Sequence, residues 1–251
     1  MREIKRYLIS LVLLLILWWI ASAAVQSFSS GAKSSILPDP LVAFEAIRAS
    51  WDKLTHHFFV SAYRLSAGLS VAALLGSSIG LWVGFEKNVD DLISPIIYLL
   101  YPIPKVVFLP VVLILLGLSD FSRIFFVFLV VVFQILISAR DAAKNIPEDP
   151  VLAVKSAGAT RAQLYRHVVL PATLPGILAS LRVSVGIGVA SLYLAETSYA
   201  NRGLGYYVSS TWKVFAYPDV FAGIVALALL GLILYLAIDV LERVLCRWRF
   251  E

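Results

Sequence analysis

The feature that most constrains this chain is a series of long apolar runs, each of roughly the length that a helix needs to cross the hydrocarbon core of a bilayer. The runs cover residues 7–25, 58–84, 92–116, 124–138, 174–195 and 220–240. A helix satisfies all of its own backbone hydrogen bonds, which is what a span in lipid requires. The expected fold class is therefore all-α, a polytopic membrane protein with about six transmembrane helices. Composition closes off the soluble alternative. Of 251 residues, 60% are hydrophobic and only 15% charged, whereas soluble domains average about half and a quarter. The net charge of +5 fits a cytoplasmic excess of Lys and Arg rather than nucleic-acid binding. Cys246 is the only cysteine, so no internal disulfide can form, and it reads as a free cytoplasmic thiol.

At the N-terminus, Arg2, Lys5 and Arg6 precede the first run, and Ala21-Ser22-Ala23 is similar to a signal-peptidase site. An uncleaved first helix is favoured, because five further runs anchor the chain anyway. With the N-terminus inside, the inner segments hold Arg2, Lys5, Arg6, Lys87, Arg140, Lys144, Lys155, Arg161, Arg166, Arg243, Arg247 and Arg249. The outer ones hold Lys33, Arg48, Lys53, Arg123, Arg202 and Lys213. That bias of about two to one places both termini in the cytoplasm. The chain divides into residues 1–57, a transmembrane helix with an outer amphipathic helix, and residues 58–251, a transmembrane core with a long cytoplasmic loop at 139–170.

Three segments between the runs are informative. Asp39 followed by Pro40 predicts a helix start. Leu41, Phe44, Ile47, Trp51 and Leu54 then form one apolar stripe, suited to the outer membrane surface or to packing on the spans. His56-His57 is a weak metal signal, since adjacent residues do not share a helix face. In the 139–170 loop, Asp149-Pro150 predicts a helix start, Gly158 its stop, Thr160 a second start, and Pro171 the end of the segment. Val151, Leu152, Val154, Leu164 and Tyr165 would be exposed in a free loop, which implies a partner. Residues 196–218, with Gly203-Leu204-Gly205-Tyr206-Tyr207, suit an ordered outer loop with interfacial aromatics.

Ionisable residues inside spans are functional candidates, because charge in hydrocarbon is costly. Arg64, Lys105 and Arg182 fall in the second, third and fifth runs. Arg64 lies near the outer end and can snorkel. Lys105 follows Pro102 and Pro104, which interrupt helical hydrogen bonding. Glu196 is 14 residues beyond Arg182, roughly 21 Å along a straight helix, so the two cannot pair within it. Cations without acidic neighbours would favour a small anion on a path, Lys105, Arg182, Arg64 and Glu196 being the candidates. The alternative is that each cation bonds to helix carbonyls or to another subunit. Gly76, Ser77, Ser78 and Gly80, with Gly186 and Gly188, permit close helix packing.

The sequence contains no Gly-Lys-Ser or Gly-Lys-Thr, so no Walker A loop is present and ATP hydrolysis would need another chain. No metal-ligand cluster or nucleophile–His–carboxylate set has motif support. The 139–170 loop resembles the signature of ABC-importer permeases, in which Glu-Ala-Ala is followed by three residues, Gly, nine residues and Ile-x-Leu-Pro. Here Gly158 is followed by nine residues and then Val168-Val169-Leu170-Pro171. Leu152, Ala153 and Val154 stand where Glu-Ala-Ala is usual. Leu37-Pro38-Asp39-Pro40, Tyr101-Pro102-Ile103-Pro104, Gly117-Leu118-Ser119, Ala195-Glu196 and Gly203-Leu204-Gly205-Tyr206 resemble the nitrate, sulfonate and taurine branch.

The resemblance implies the type I importer permease fold. Two permease copies would surround a central path, with two ATPase subunits beneath and an extracytoplasmic binding protein delivering solute, at the bacterial inner membrane. It implies that the chain needs no cofactor, ATP being bound by the partner subunit. It also implies a coupling helix that contacts the ATPase, comprising Asp149, Pro150, Val151, Leu152, Ala153, Val154, Lys155, Ser156, Ala157, Gly158, Ala159 and Thr160. The competing classes are a secondary transporter or channel, which should show inverted repeats, and an intramembrane enzyme, which needs a reactive constellation. Neither feature is evident, and the chain is not expected to be an enzyme.

Overall fold

The computed structural model describes residues 2–28 and 36–249, with side chains for residues 9–27 and 36–249. Lys33, counted among the outer charges, and the side chains of Arg2, Lys5 and Arg6 lie outside the described residues. The described residues form helices and connecting turns, with no strand among them. In order they are α1 (Arg2–Phe28), α2 (Pro40–Ala49), α3 (Trp51–Phe85), α4 (Lys87–Leu100), α5 (Leu109–Leu116), α6 (Asp120–Lys144), α7 (Glu148–Ser156), α8 (Arg161–Leu164), α9 (Leu170–Thr197), α10 (Leu204–Lys213) and α11 (Tyr217–Leu245). Five helical stretches are long and apolar enough to cross a membrane, and a bent pair, Lys87–Leu100 with Lys105–Leu116, makes a sixth.

The expected third span is therefore not one straight helix. It starts at Lys87 and bends by 76°. Pro102 and Pro104 lie in the break and cannot donate to the preceding turn. A 3₁₀ turn, Lys105–Phe108, restarts the chain, and Pro110 sits in the first turn of α5, where no donor is needed. The fourth span is longer than its apolar run. Ser119 caps α6 by accepting the Ser122 N–H at 3.3 Å, which brings Asp120 to Arg123 into the helix. The fifth also starts earlier than expected. Pro171 does not end the loop segment, because a π turn over Tyr165–Val169 leads directly into α9. Widening the turn by one residue relieves the clash that a proline ring otherwise makes with the carbonyl four residues back.

Two compact units are built from non-contiguous stretches. One comprises the described part of residues 1–60 with Glu196–Leu229. Here Ser22 is fully buried and donates to the Leu37 carbonyl at 2.8 Å and the Asp39 carboxylate at 2.7 Å. Asp39 thus ties α2 to α1 and makes no side-chain cap on α2. Trp18 adds a bond from its indole N–H to the Pro38 carbonyl at 3.1 Å and stacks on Phe221 at 5.8 Å. The predicted outer helix is interrupted at Ser50, and Pro40, Ala43 and Leu54 are its buried residues. Leu41, Phe44 and Trp51, expected on one stripe suited to the membrane surface or to packing on the spans, are exposed, whereas Leu54 is buried. Tyr207 donates to Asp219 at 2.7 Å, and burial, with that carboxylate beside it, pushes its phenol up to about 12.

The other unit comprises Ser61–Ala195 with Leu230–Glu251. Its central seam joins α3 to α6. A Cβ at Gly68 would lie 2.8 Å from Val127, at Gly76 3.0 Å from the Val132 carbonyl oxygen, at Gly80 2.3 Å from that of Leu136, and at Gly84 2.1 Å from that of Arg140. The numbers rise together, so the helices run parallel with backbones in contact. Lipid supplies no hydrophobic drive between helices, and small residues at a four-residue repeat provide the close approach that dispersion needs. The expectation for Gly76 and Gly80 holds, and Gly68 and Gly84 extend the stripe. Gly188 similarly admits Leu65, at 3.0 Å, whereas Gly186 faces nothing within 4 Å. Phe126, Val127, Val131, Ile135 and Leu192 are fully buried in this unit.

Candidate functional site

The 139–170 loop contains a helix that buries none of its own residues. In α7, Pro147 occupies the cap position, and Glu148 and Asp149 lie in the first turn. The helix starts just before the expected Asp149-Pro150, because Pro150, in the first turn, lacks only a donor that would have no partner there. Leu152 is 55% exposed at the centre of α7. At the other end Gly158 adopts φ +79°, donates to the Lys155 carbonyl at 2.9 Å, and is followed by Ala159 donating to Val154 at 3.3 Å. These two bonds are those of a Schellman stop, whose left-handed residue is usually glycine. Gly158 therefore ends the helix as the sequence predicts. Thr160 then opens α8 with a reciprocal capping box, its hydroxyl accepting the Gln163 N–H and the Gln163 side chain accepting the Thr160 N–H. The loop is a helix–stop–cap–helix in which Leu152 stays exposed, Val151, Val154 and Tyr165 are half-buried, and Leu164 is buried.

The four path candidates are placed in different surroundings. Arg64 is 1% exposed and pairs with Asp120, its Nε donating at 3.0 Å. Arg182 pairs with Glu242 and, at 3.3 Å, with Asp239. Glu242 also accepts Arg249 at 2.7 Å, and Asp239 accepts Arg243 at 2.9 Å. The expectation of mid-span cations without acidic neighbours is thus overturned for Arg64 and Arg182. Separation along one helix could not show that long guanidinium side chains reach carboxylates on α6 and α11. Glu196 is fully buried and accepts the Gly205 N–H at 2.9 Å. Gly203, at φ +113°, leaves the space it occupies, since a Cβ there would be 2.3 Å from the Glu196 carboxyl carbon.

Lys105 differs from the other three. It lies at the break of the bent pair, where its ammonium donates to the Leu100 carbonyl at 3.1 Å and to that of Tyr101. It also lies 4.6 Å from the Phe133 ring centroid and 5.1 Å from that of Tyr101. A cation at the C-terminal end of α4 satisfies carbonyls that the prolines free and meets the negative end of the helix dipole. The Tyr101 hydroxyl donates to Gln134 at 3.1 Å.

Two acidic residues escaped the sequence reading. Asp90, 5% exposed, accepts Arg140 at 2.5 Å and Lys144 at 2.6 Å, and Arg140 reaches the Tyr98 hydroxyl at 2.9 Å. Glu86, between α3 and α4, pairs with Arg161. Their signal was a short acidic turn between two apolar runs, facing a basic loop on the same side. No group of His, Cys, Asp and Glu among the described residues could hold a metal ion. Cys246 is buried, and burial, with the Glu242 carboxylate near it, pushes its thiol up.

Parallel apolar helices sealed by glycine, with a bent pair of span length, define a polytopic membrane protein. The chain belongs to the family of binding-protein-dependent transport system inner membrane components, which it matches over residues 72–248. It is the membrane-spanning permease subunit of an ABC importer. It is 32% identical to the taurine transport system permease protein TauC of Escherichia coli (strain K12), over 100% of this chain and 92% of that one. It is 28% identical to the formylaminopyrimidine transport permease protein ThiX of Halalkalibacterium halodurans, over 95% and 93%. Further relatives are named for aliphatic sulfonates and for nitrate import. Among solved structures, an inward-facing MetNI methionine ABC transporter superposes with a TM-score of 0.66 at 16% identity, covering 79% of this chain and 98% of that one. That likeness carries the fold.

Proposed function

We propose that this permease works as a homodimer that carries a small solute with an anionic group, taurine or a related sulfonate, or nitrate, across the bacterial inner membrane. Both termini lie in the cytoplasm. Residues 1–57 form a transmembrane helix with an outer amphipathic helix and residues 58–251 the transmembrane permease core. Two ATPase subunits bind and hydrolyse ATP, the chain itself taking no cofactor, and an extracytoplasmic binding protein delivers the solute. The observation that carries the reading is α7. A capped helix that buries none of its residues and presents Leu152 outward is built to be received by another protein. Residues Asp149 to Thr160 are its docking segment. With Leu152 in place of the usual carboxylate, the contact is apolar.

The solute reading rests on the names of the relatives and on Lys105. Arg64 and Arg182 are neutralised within the fold, and with Glu196 we assign them to holding helices together. Lys105 is the cation left for the path, and it attracts an anion transiently, as conduction requires. Uptake by the reconstituted complex should be highest for taurine or another small sulfonate. Lys105→Met should slow that uptake while assembly and binding-protein affinity stay normal. Preferred uptake of a formylaminopyrimidine, or unchanged sulfonate uptake in Lys105→Met, would refute the anion path.

A further inference from the structure

Glu86 stands where α3 ends and α4 begins. Its N–H closes the last turn of α3 on Trp82 at 3.3 Å, and its carbonyl accepts the Asp90 N–H of α4 at 2.9 Å. Its side chain engages the coupling loop. One carboxylate oxygen pairs with Arg161 and the other accepts the Tyr165 hydroxyl at 3.4 Å. Phe85 meets the Tyr165 ring edge-on at 5.2 Å and 71°. Arg161 is the first residue of α8, held by the Thr160 capping box. The segment that leaves α7 is therefore fastened to the α3–α4 junction by the Glu86 carboxylate and by the Phe85–Tyr165 ring contact.

The surroundings explain why the polar part of this fastening matters. Beside it lies a cavity of about 620 Å³, whose lining includes Glu86, Asp90, Lys144, Glu148, Leu152 and Arg161. The cavity leaves α7 room to shift. The seam behind it does not give, since Gly84 abuts the Arg140 carbonyl and Arg140 grips Asp90 one turn into α4. The Arg161 side chain is 74% exposed and that of Glu86 21%, so solvent screens the pair and it contributes little to folding. Its geometric consequence is larger, because α4 leads into the bent span that carries Lys105.

We propose that Glu86 is a positioning residue that passes displacement of the α7–α8 loop to α4. The inference rests on the reading that α7 docks on an ATPase. It is tested in the complete complex in lipid nanodiscs, with spin labels at Ala162→Cys on α8 and Leu92→Cys on α4, without nucleotide and with ATP and vanadate. The fastened loop and α4 move together, so the label distance should be the same in both states. In Glu86→Gln it should shift between states, with uptake of taurine per ATP falling roughly two- to thirty-fold, the range of such couplings. Glu86→Arg combined with Arg161→Glu should restore the constant distance, and Tyr165→Phe should shift it less than Glu86→Gln. A distance that changes with nucleotide in the parent, or stays constant in Glu86→Gln, overturns the proposal. So does loss of assembly in Glu86→Gln, which would make the residue a brace. If ATPase contact at Leu152 is absent in the parent complex, the docking reading falls and this inference with it. Normal contact with a constant distance in Glu86→Gln overturns this inference alone.

Discussion

Two regions of the transport core use glycine for opposite reasons. Along the α3–α6 seam glycine is needed for space, because a Cβ at Gly84 or Gly80 would sit within 2.3 Å of a backbone carbonyl oxygen. In the 139–170 loop Gly158 has nothing within 4 Å of the position its Cβ would take, and its constraint is φ +79°. The seam is rigid because it is filled. The loop is shaped by the Gly158 stop and the Thr160 capping box. A filled seam suits the part of a permease that must not deform in lipid, and a capped, uncovered helix suits the part that another protein must grasp.

The largest expected effect falls on the seam. Gly84→Ala forces α3 away from α6, and overpacking of this kind costs about 1–3 kcal/mol or more. Thermal unfolding of the detergent-solubilised subunit should fall by several degrees and assembly should suffer. Normal stability would show that the seam is loose. Next comes Arg182→Met, which removes one cation from the buried Glu242 carboxylate. Losing a partner of a fully buried pair costs about 3–5 kcal/mol. Arg249 and Arg243 still neutralise Glu242 and Asp239, so a smaller loss is expected, together with unchanged solute preference. A changed preference at normal stability would return Arg182 to the path.

Smaller still is Gly158→Ala. No clash accompanies it, only the left-handed backbone, worth roughly 1–2 kcal/mol. Local opening of α7, measured by amide exchange, should increase while global unfolding stays unchanged and uptake per ATP drops. Equal losses of global stability in Gly158→Ala and Gly84→Ala would erase the distinction between the two regions.

Much of this was legible in the sequence because lipid permits so few solutions. Apolar runs of span length had to be helices, and the Gly158 stop, the Thr160 start and the close packing at Gly76 and Gly80 follow from backbone chemistry that local residues fix. What was illegible depended on other helices. Asp120, Asp239 and Glu242 are ordinary acidic residues near span ends, and nothing local says that Arg64 and Arg182 reach them. Pro171 misled because a π turn absorbs it, and the width of that turn is set by the helix on either side. Asp39 has the look of a cap, but Ser22 and Gln26 on α1 offer it donors.

The central claim is that α7 is received by an ATPase, and cross-linking tests it most directly. Leu152→Cys and Ala153→Cys, each paired with cysteines along the ATPase groove in the assembled complex, should form disulfides within minutes of mild oxidation. The cross-linked complex should then lose uptake. No cross-link at either position, in a complex that assembles and transports normally, would contradict the account.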